Sequence, residues 1–383
     1  MKRSGCRNKY TSTCLIFKLR VKPKEKEWND LFARYKKEYP ELAEQFENAV
    51  SGTLASDWDS AIKAYKPEDG PQATRNIGGQ VMNAIADKVP FLIGGSADLN
   101  PSTKTFIENS DYVAKNAYQN KNIAWGVREL GMCGATSGIA LHGGLRPFAS
   151  TFFVFSDYAR PAIRLAAIMK VPAIYVMTHD SIGVGEDGPT HQPVEHMAAL
   201  RCIPGLTVIR PADANETAWA WRAAIKNTDG PTMLLFTRQK LPVIDQAAYA
   251  PASGVLKGAY ILCKEDGNTP DVILIATGSE VPLVLEAQKQ LKSSNIDARV
   301  VSMPSWELFR QQNDSYRDEV LPPKIKARLA VEAGVSQGWS EWVGADGDVL
   351  SLNAFGKSGP YSKVFEHFGL TPDNIVKRAK ALL

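Results

Sequence analysis

The sequence predicts an α/β protein in which a parallel-sheet domain is followed by a smaller α/β C-terminal domain, with a helical segment ahead of both. Three observations predict it. Short apolar runs alternate with longer stretches of helical period. The runs lead into Gly, Ser, Thr or Pro, as parallel strands do where they meet their connecting loops. The alternation then starts afresh near "DVILIATGSE", residues 271–280.

In chain order, residues 1–21 are a basic tail expected to be disordered, with an organelle transit peptide as the alternative reading. Residues 22–71 are a helical linker segment, in which Trp28, Phe32, Tyr35, Tyr39, Leu42 and Phe46 recur at spacings of three and four. Those spacings make one or two amphipathic helices, and Pro67, Gly70 and Pro71 end the pattern. Residues 72–245 carry the runs "VPFLIGG", "NIAWG", "PAIYVMT", "LTVIRPA" and "TMLLFT" as strands, with "ARPAIRLAAIMK" and "NETAWAWRAAIKN" as helices. Residues 258–383 repeat the cycle with "DVILIATGSE", "ARVVSMPS", "ARLAVEAG" and "DVLSLNAFG". No internal repeat or low-complexity segment interrupts this order.

The net charge of +4 belongs to the tail, because residues 1–26 hold nine Lys/Arg and one acid, Glu25, while the rest carries 36 basic and 40 acidic residues. That balance argues against a nucleic-acid surface on the folded part, which would spread cations over a face. The longest apolar runs fall far short of the ~20 residues a membrane-spanning helix needs, so no membrane association is expected. Five cysteines, Cys6, Cys14, Cys133, Cys202 and Cys263, include no CxxC pair. Reduced thiols and a cytoplasmic address are the expectation.

The stretch "THDSIGVGEDGPTHQPVEH", Thr178 to His196, gathers three of the five histidines and four acidic residues. It runs from the carboxyl end of a strand to the start of a helix, where open α/β sheets bind ligands. His179, Asp187 and His191 can face one cleft there. Substrate contact ranks ahead of a structural polar loop, and both ahead of a metal cage, which a glycine-rich loop would hold loosely. His196 belongs to the following helix, where it caps or packs. In "WGVRELGM", Glu129 is either an ordinary first-turn helix residue or a desolvated acid suited to share a proton with a ring nitrogen. Phe152, Phe155 and Tyr158, at i, i+3 and i+6, form a core stripe or a wall for a flat heterocycle.

Together "GGSADLNPS", "GVRELGM", "STFFVFSDYAR" and "THDSIGVGEDGPTHQPVEH" resemble, in order and spacing, the pyrimidine-binding domain of the transketolases. "VVSMPSWELF" and "VEAGVSQGW" are similar to the C-terminal domain of that family, so the resemblance runs from about Trp28 to Leu383. It implies thiamine diphosphate and Mg2+ as cofactors, sugar phosphates as substrates and transfer of a two-carbon ketol unit, as in the pentose phosphate pathway.

The resemblance also implies roles. Glu129 would hydrogen-bond N1′ of the aminopyrimidine and favour the imino tautomer that activates the thiazolium. Phe155 would stack on that ring, with Phe152 and Tyr158 closing the pocket and Asp98 nearby. Arg75, Ser102, His179 and Arg238 match the sugar-phosphate clamp. Asp187 would contact a sugar hydroxyl, and His191 would lie near the reacting carbonyl.

In that family a separate domain grips the diphosphate and its metal through a GDG motif, and the active site forms between subunits. No GDG occurs in these 383 residues; "KEDGN" and "GADGD" lack the pattern that follows it. The expectation is a homo- or hetero-oligomeric component completed by a diphosphate-binding subunit. The alternative is a truncated, non-catalytic protein that binds sugar phosphate or an intact subunit. Deoxyxylulose-phosphate synthases and dehydrogenase beta subunits share the fold and the Glu but fit "GGSADLNPS" and "GEDGPTHQP" less well.

Overall fold

A computed structural model describes residues 5–383, with side chains from Arg20 onward. Helix α1 (Gly5–Glu38) is followed at once by α2 (Pro40–Ser51), because Pro40 takes the first position of the second helix and Gly52 closes it at φ 69°. The expected helical spacing is expressed as a hairpin. Phe32 and Phe46 meet at 5.4 Å between ring centroids, and Lys36 pairs with Glu47 at 2.7 Å. Of the tail expected to be disordered, residues 1–4 lie outside the described residues and 5–21 continue helix α1. No proline or glycine interrupts the sequence between Gly5 and Pro23, so the backbone there can keep helical hydrogen bonding. This hairpin is one compact unit; residues 56–383 are the other.

Five parallel strands build the first sheet: β1 (Leu92–Ser96), β2 (Arg146–Phe152), β3 (Ile174–Thr178), β4 (Thr207–Ile209) and β5 (Thr232–Phe236), in the order β1-β2-β3-β5-β4. The interleaved helices are α3 (Thr74–Lys88), the short α4 (Asn100–Thr103), α5 (Glu129–His142), α6 (Ser156–Ile168), α7 (His196–Arg201) and α8 (Ala214–Lys226). Alternate strand residues such as Ala149, Tyr175, Met177, Met233 and Leu235 join a core with residues of α5, α6 and α7. Helices α3 and α8 pack on each other and on β5.

Two local readings change. "NIAWG" is not a sheet strand: only an isolated bridge joins Asn122 to Gly94. The Asn122 side chain instead binds its own neighbourhood, accepting from Ile107 N at 2.8 Å and donating to Ile107 O at 2.9 Å, and so holds the segment as a loop. That loop passes so close to β1 that a Cβ on Gly95 would lie 2.1 Å from Ile123 O. "RPFASTF" is, like "YILC" of the second sheet, a strand that the sequence reading lacked. Phe152 ends it, Phe155 lies in a 3-10 turn and Tyr158 enters α6, so the aromatic stripe crosses three elements.

The second sheet has the order β10-β9-β7-β8-β6, built from β6 (Tyr260–Cys263), β7 (Val272–Ala276), β8 (Ala298–Ser302), β9 (Arg328–Val331) and β10 (Asp348–Leu350). Strand β6 runs antiparallel to β8 and the other pairs are parallel. Its core is apolar on both faces, with Leu274, Val300 and Val331 on one and Ile275, Val301 and Ala330 on the other. Among the described residues no helix is long and apolar enough to cross a membrane.

The two sheets are tied by buried ions. Fully buried Arg210 donates to Asp180 Oδ2 at 2.7 Å, to Glu280, to Ser279 Oγ at 3.0 Å and to Thr277 O at 2.9 Å. Arg201 makes a two-pronged pair with Glu332 at 2.9 Å, and Tyr260 and Ser302 both donate to Glu216 Oε1. Replacing Arg210 by Ala strands Asp180 and Glu280 without a counter-charge. A buried pair broken from one side costs about 3–5 kcal/mol, so Arg210→Ala is expected to lower the unfolding free energy obtained from urea titration by about that amount.

Candidate functional site

The candidate site lies at the carboxyl ends of the first sheet's strands. Ser96 ends β1 and turns the chain at Asp98, whose φ is 61°, while Ser96 Oγ accepts from Leu99 N at 2.8 Å. Helix α4 then carries Ser102. Phe152 ends β2, His179 follows β3, and Arg238 follows β5. Parallel strands thus deliver four of the expected residues to one edge.

Arg75 arrives from the start of α3, fixed beside Arg238 by a reciprocal threonine pair. Thr237 N donates to Thr74 Oγ1 at 2.7 Å, and Thr74 N donates to Thr237 Oγ1 at 3.1 Å. The Arg75 guanidinium donates from Nη1 to Ser102 O at 3.0 Å and to His179 Nε2 at 3.2 Å. Ser102 therefore meets Arg75 through its carbonyl. Arg75 Nε is buried without a hydrogen-bond partner. Burial, then the charge of Arg238, holds Arg75 below its usual pKa, with Asp187 opposing them. Two arginines crowded this way favour an anion between them.

His179 joins this cationic end to the aromatic end. Because Arg can only donate, Nε2 of His179 accepts, which puts the ring proton on Nδ1, 2.8 Å from Thr178 Oγ1. The residue sits at φ 63°, in the left-handed region that costs a non-glycine about 1–3 kcal/mol and that clusters at ligand sites. Its ring lies 3.7 Å from that of Phe152. Phe152 stacks on Phe155 at 5.9 Å and 9°, Phe155 meets Tyr158 at 6.2 Å, and His191 stands edge-on to Phe155 at 5.6 Å. Tyr158, 65% exposed, forms the open end of this wall.

Glu129 opens α5 and is only 8% exposed, with Thr151 Oγ1 donating to its Oε1 at 3.5 Å. It stands at the helix N-terminus, and Thr151 holds it one residue before Phe152. Asp187 and Glu186 stay exposed on the loop between β3 and α7, and Arg238 Nη1 lies 3.6 Å from Glu186 Oε2. The C-terminal domain holds that loop down: Gln192 Nε2 donates to Lys357 O at 2.9 Å, and Ser358 Oγ to Glu186 O at 2.6 Å.

Of the residues singled out in the sequence, the structure joins Arg75, Ser102 and His179 by hydrogen bonds and Phe152, Phe155, Tyr158, His179 and His191 by ring contacts. Glu129 is joined to Thr151, the residue before Phe152. Asp98 is exposed and, among the described residues, makes no hydrogen bond to any of them. His196 lies apart from the cleft, buried against Phe153. Sequence reasoning missed Thr74, Thr151, Thr237 and Arg210; threonines just before or after a strand end were the one signal for the first three.

Comparison with known proteins gives a consistent result. Residues 70–243 match the family described as transketolase, pyrimidine binding domain, and residues 258–371 the transketolase-like C-terminal domain. A Bacillus subtilis transketolase is 53% identical over 360 residues, 94% of this chain and 54% of the relative. A Pichia stipitis transketolase, solved in complex with sedoheptulose 7-phosphate, superposes with a TM-score of 0.90 at 39% identity, covering 95% of this chain and 53% of that one. A split-gene transketolase described as an inactive β4 tetramer shares the fold, with a TM-score of 0.65 at 24% identity over 99% of its own length. The chain thus spans about half the length of the first two relatives.

Burial, followed by the charges of Arg75, Arg238 and His191, pushes the pKa of His179 down to about 3. The folded protein therefore refuses a proton that the unfolded chain accepts near pH ~6.5. Stability from this source is fully present above pH ~6.5 and falls as the pH drops toward about 3. The His179→Gln variant is expected to lose stability less steeply over that window, as read from urea midpoints against pH. In the wild type the His179 ring is expected to show no titration by NMR between about pH 5 and 8.

Proposed function

The chain belongs to the transketolase family, and from that premise we propose that it supplies the aminopyrimidine and sugar-phosphate half of an enzyme that moves a two-carbon ketol unit from a ketose phosphate to an aldose phosphate. The observation that carries this reading is the placement of His179. One neutral imidazole touches both the ring wall and Arg75, so a flat heterocycle and a phosphorylated sugar can lie side by side.

The residues fit thiamine diphosphate. Stacked Phe152 and Phe155 offer a face for the aminopyrimidine, Tyr158 closes it, and Asp98 borders it. Buried Glu129 at a helix N-terminus is placed to share a proton with a ring nitrogen. When bound, the cofactor supplies the carbanion chemistry; the chain supplies orientation and proton control. Arg75 and Arg238 take the phosphate, with Ser102 and His179 completing its shell. Asp187 reads a sugar hydroxyl from the rim of the cleft. His191, edge-on to Phe155, stands where the carbonyl reacts.

The diphosphate and its Mg2+ need donors that these residues do not offer, since no GDG occurs among them. We assign those donors to a diphosphate-binding transketolase chain that completes the site in trans within an oligomer. The split-gene relative supports the fold side of this reading, because there a chain of similar extent folds and assembles by itself.

Ketol transfer from xylulose 5-phosphate to ribose 5-phosphate, with thiamine diphosphate and Mg2+, tests the proposal. Activity is expected only when a diphosphate-binding chain is added. Activity of the 383 residues alone removes the partner, and inactivity of both preparations returns the reading to a binding protein. In the active mixture Glu129→Gln is expected to lower kcat by about 10²-fold or more while the thermal midpoint stays put, since a general acid–base group contributes about 10²–10⁴-fold.

A further inference from the structure

One histidine of the stretch Thr178–His196 takes no part in the cleft. His196, at the first position of α7, is only 5% exposed. Neither of its ring nitrogens makes a hydrogen bond, an expensive state for a buried imidazole. Two carboxylates flank it. Asp157 Oδ2, from the first turn of α6, lies 3.2 Å from Nε2, and Glu195 Oε2 lies 3.8 Å from Nδ1.

At 3.2 Å a directed hydrogen bond is within reach, yet the alignment for one is missing. An ion on Nε2, beside the Asp157 carboxylate, would supply the partner that this buried nitrogen lacks. One ligand atom from each of the three residues lies within 4.8 Å of the other two. Zn2+ bonds of about 2.0–2.1 Å at the tetrahedral angle put ligand atoms about 3.3 Å apart. At Nε2 the His196–Asp157 spacing already meets that distance, and the solvent-exposed Glu195 side chain, which lies nearer Nδ1, has to swing to the Nε2 side to share the ion. Neither carboxylate pairs with a Lys or Arg among the described residues, so their joint negative charge has no protein counter-ion.

We propose that Asp157, Glu195 and His196 form an accessory site for a divalent transition-metal cation of the Zn2+ type, with water in the fourth position. One imidazole and two carboxylates suit Zn2+ better than Mg2+, which prefers an all-oxygen octahedron. Asp157 stands between Phe155 and Tyr158, so the ion sits behind the aromatic wall and fastens the start of α6 to the start of α7.

The test is calorimetric titration of the metal-free 383-residue chain with Zn2+ in excess Mg2+. One equivalent is expected to bind. Asp157→Asn and Glu195→Gln change exposed side chains and leave the core intact; each is expected to weaken binding by about tenfold or more, since even outer-shell groups are worth about 10–100-fold. Co2+ is expected to show the visible absorption of a tetrahedral centre without a thiolate charge-transfer band. Absence of stoichiometric binding, equal binding by both variants, or a thiolate band that assigns the ion to a cysteine would each overturn the proposal.

Discussion

The site depends on one buried guanidinium. Arg210, at the end of β4, reaches Asp180 from the first sheet's site loop and Glu280 from the loop after β7. Burial by itself would lower its pKa, but the two carboxylates outweigh that and raise it, so the charge stays in place. Such a cluster contributes little net stability, because desolvating three ions costs about as much as their attraction returns. Its effect is positional. Asp180 is the next residue after His179, and a strained backbone at His179 persists only where its surroundings over-determine it. The anchor for the imidazole therefore comes from contact with a second domain.

From that anchor the cleft divides into two ends of opposite character. One is cationic and hydroxyl-rich, around Arg75 and Arg238; the other is a run of stacked rings beside a buried acid. His179 belongs to both, since its Nε2 accepts from Arg75 while its ring lies on Phe152. Binding of an anion at one end would change the hydrogen bond that sets the imidazole tautomer, and that ring contacts the wall at the other end. The two halves of the cleft are thus in mechanical contact through a single side chain.

How much of this was legible varies with the range of the interaction. Strands β3, β5, β7 and β9 are short β-rich apolar runs that end in turn residues, and they stood out. Strand β2 did not, because "RPFASTF" carries Pro, Ala and Ser and runs straight into a helix without a turn signal. "NIAWG" looked like a strand until an asparagine side chain took up the local backbone groups. The cleft was found through resemblance together with the density of His, Arg and aromatic residues near strand ends. The Thr74–Thr237 pair and the Arg210 cluster join positions 163, 30 and 70 residues apart, and no local pattern marks such partners.

The tether of the site loop to the C-terminal domain bears on how the two domains can be inherited or recombined. Lys357 and Ser358 hold the loop through its backbone and through Gln192, while Glu280 and Glu332 receive arginines from the first α/β domain. A chimera joined in the segment between residues 245 and 258 would look clean on the sequence, since both flanks read as separate α/β units. It would nevertheless inherit a loop from one parent and its fastenings from another. Within this architecture the unit of exchange is the pair of domains together.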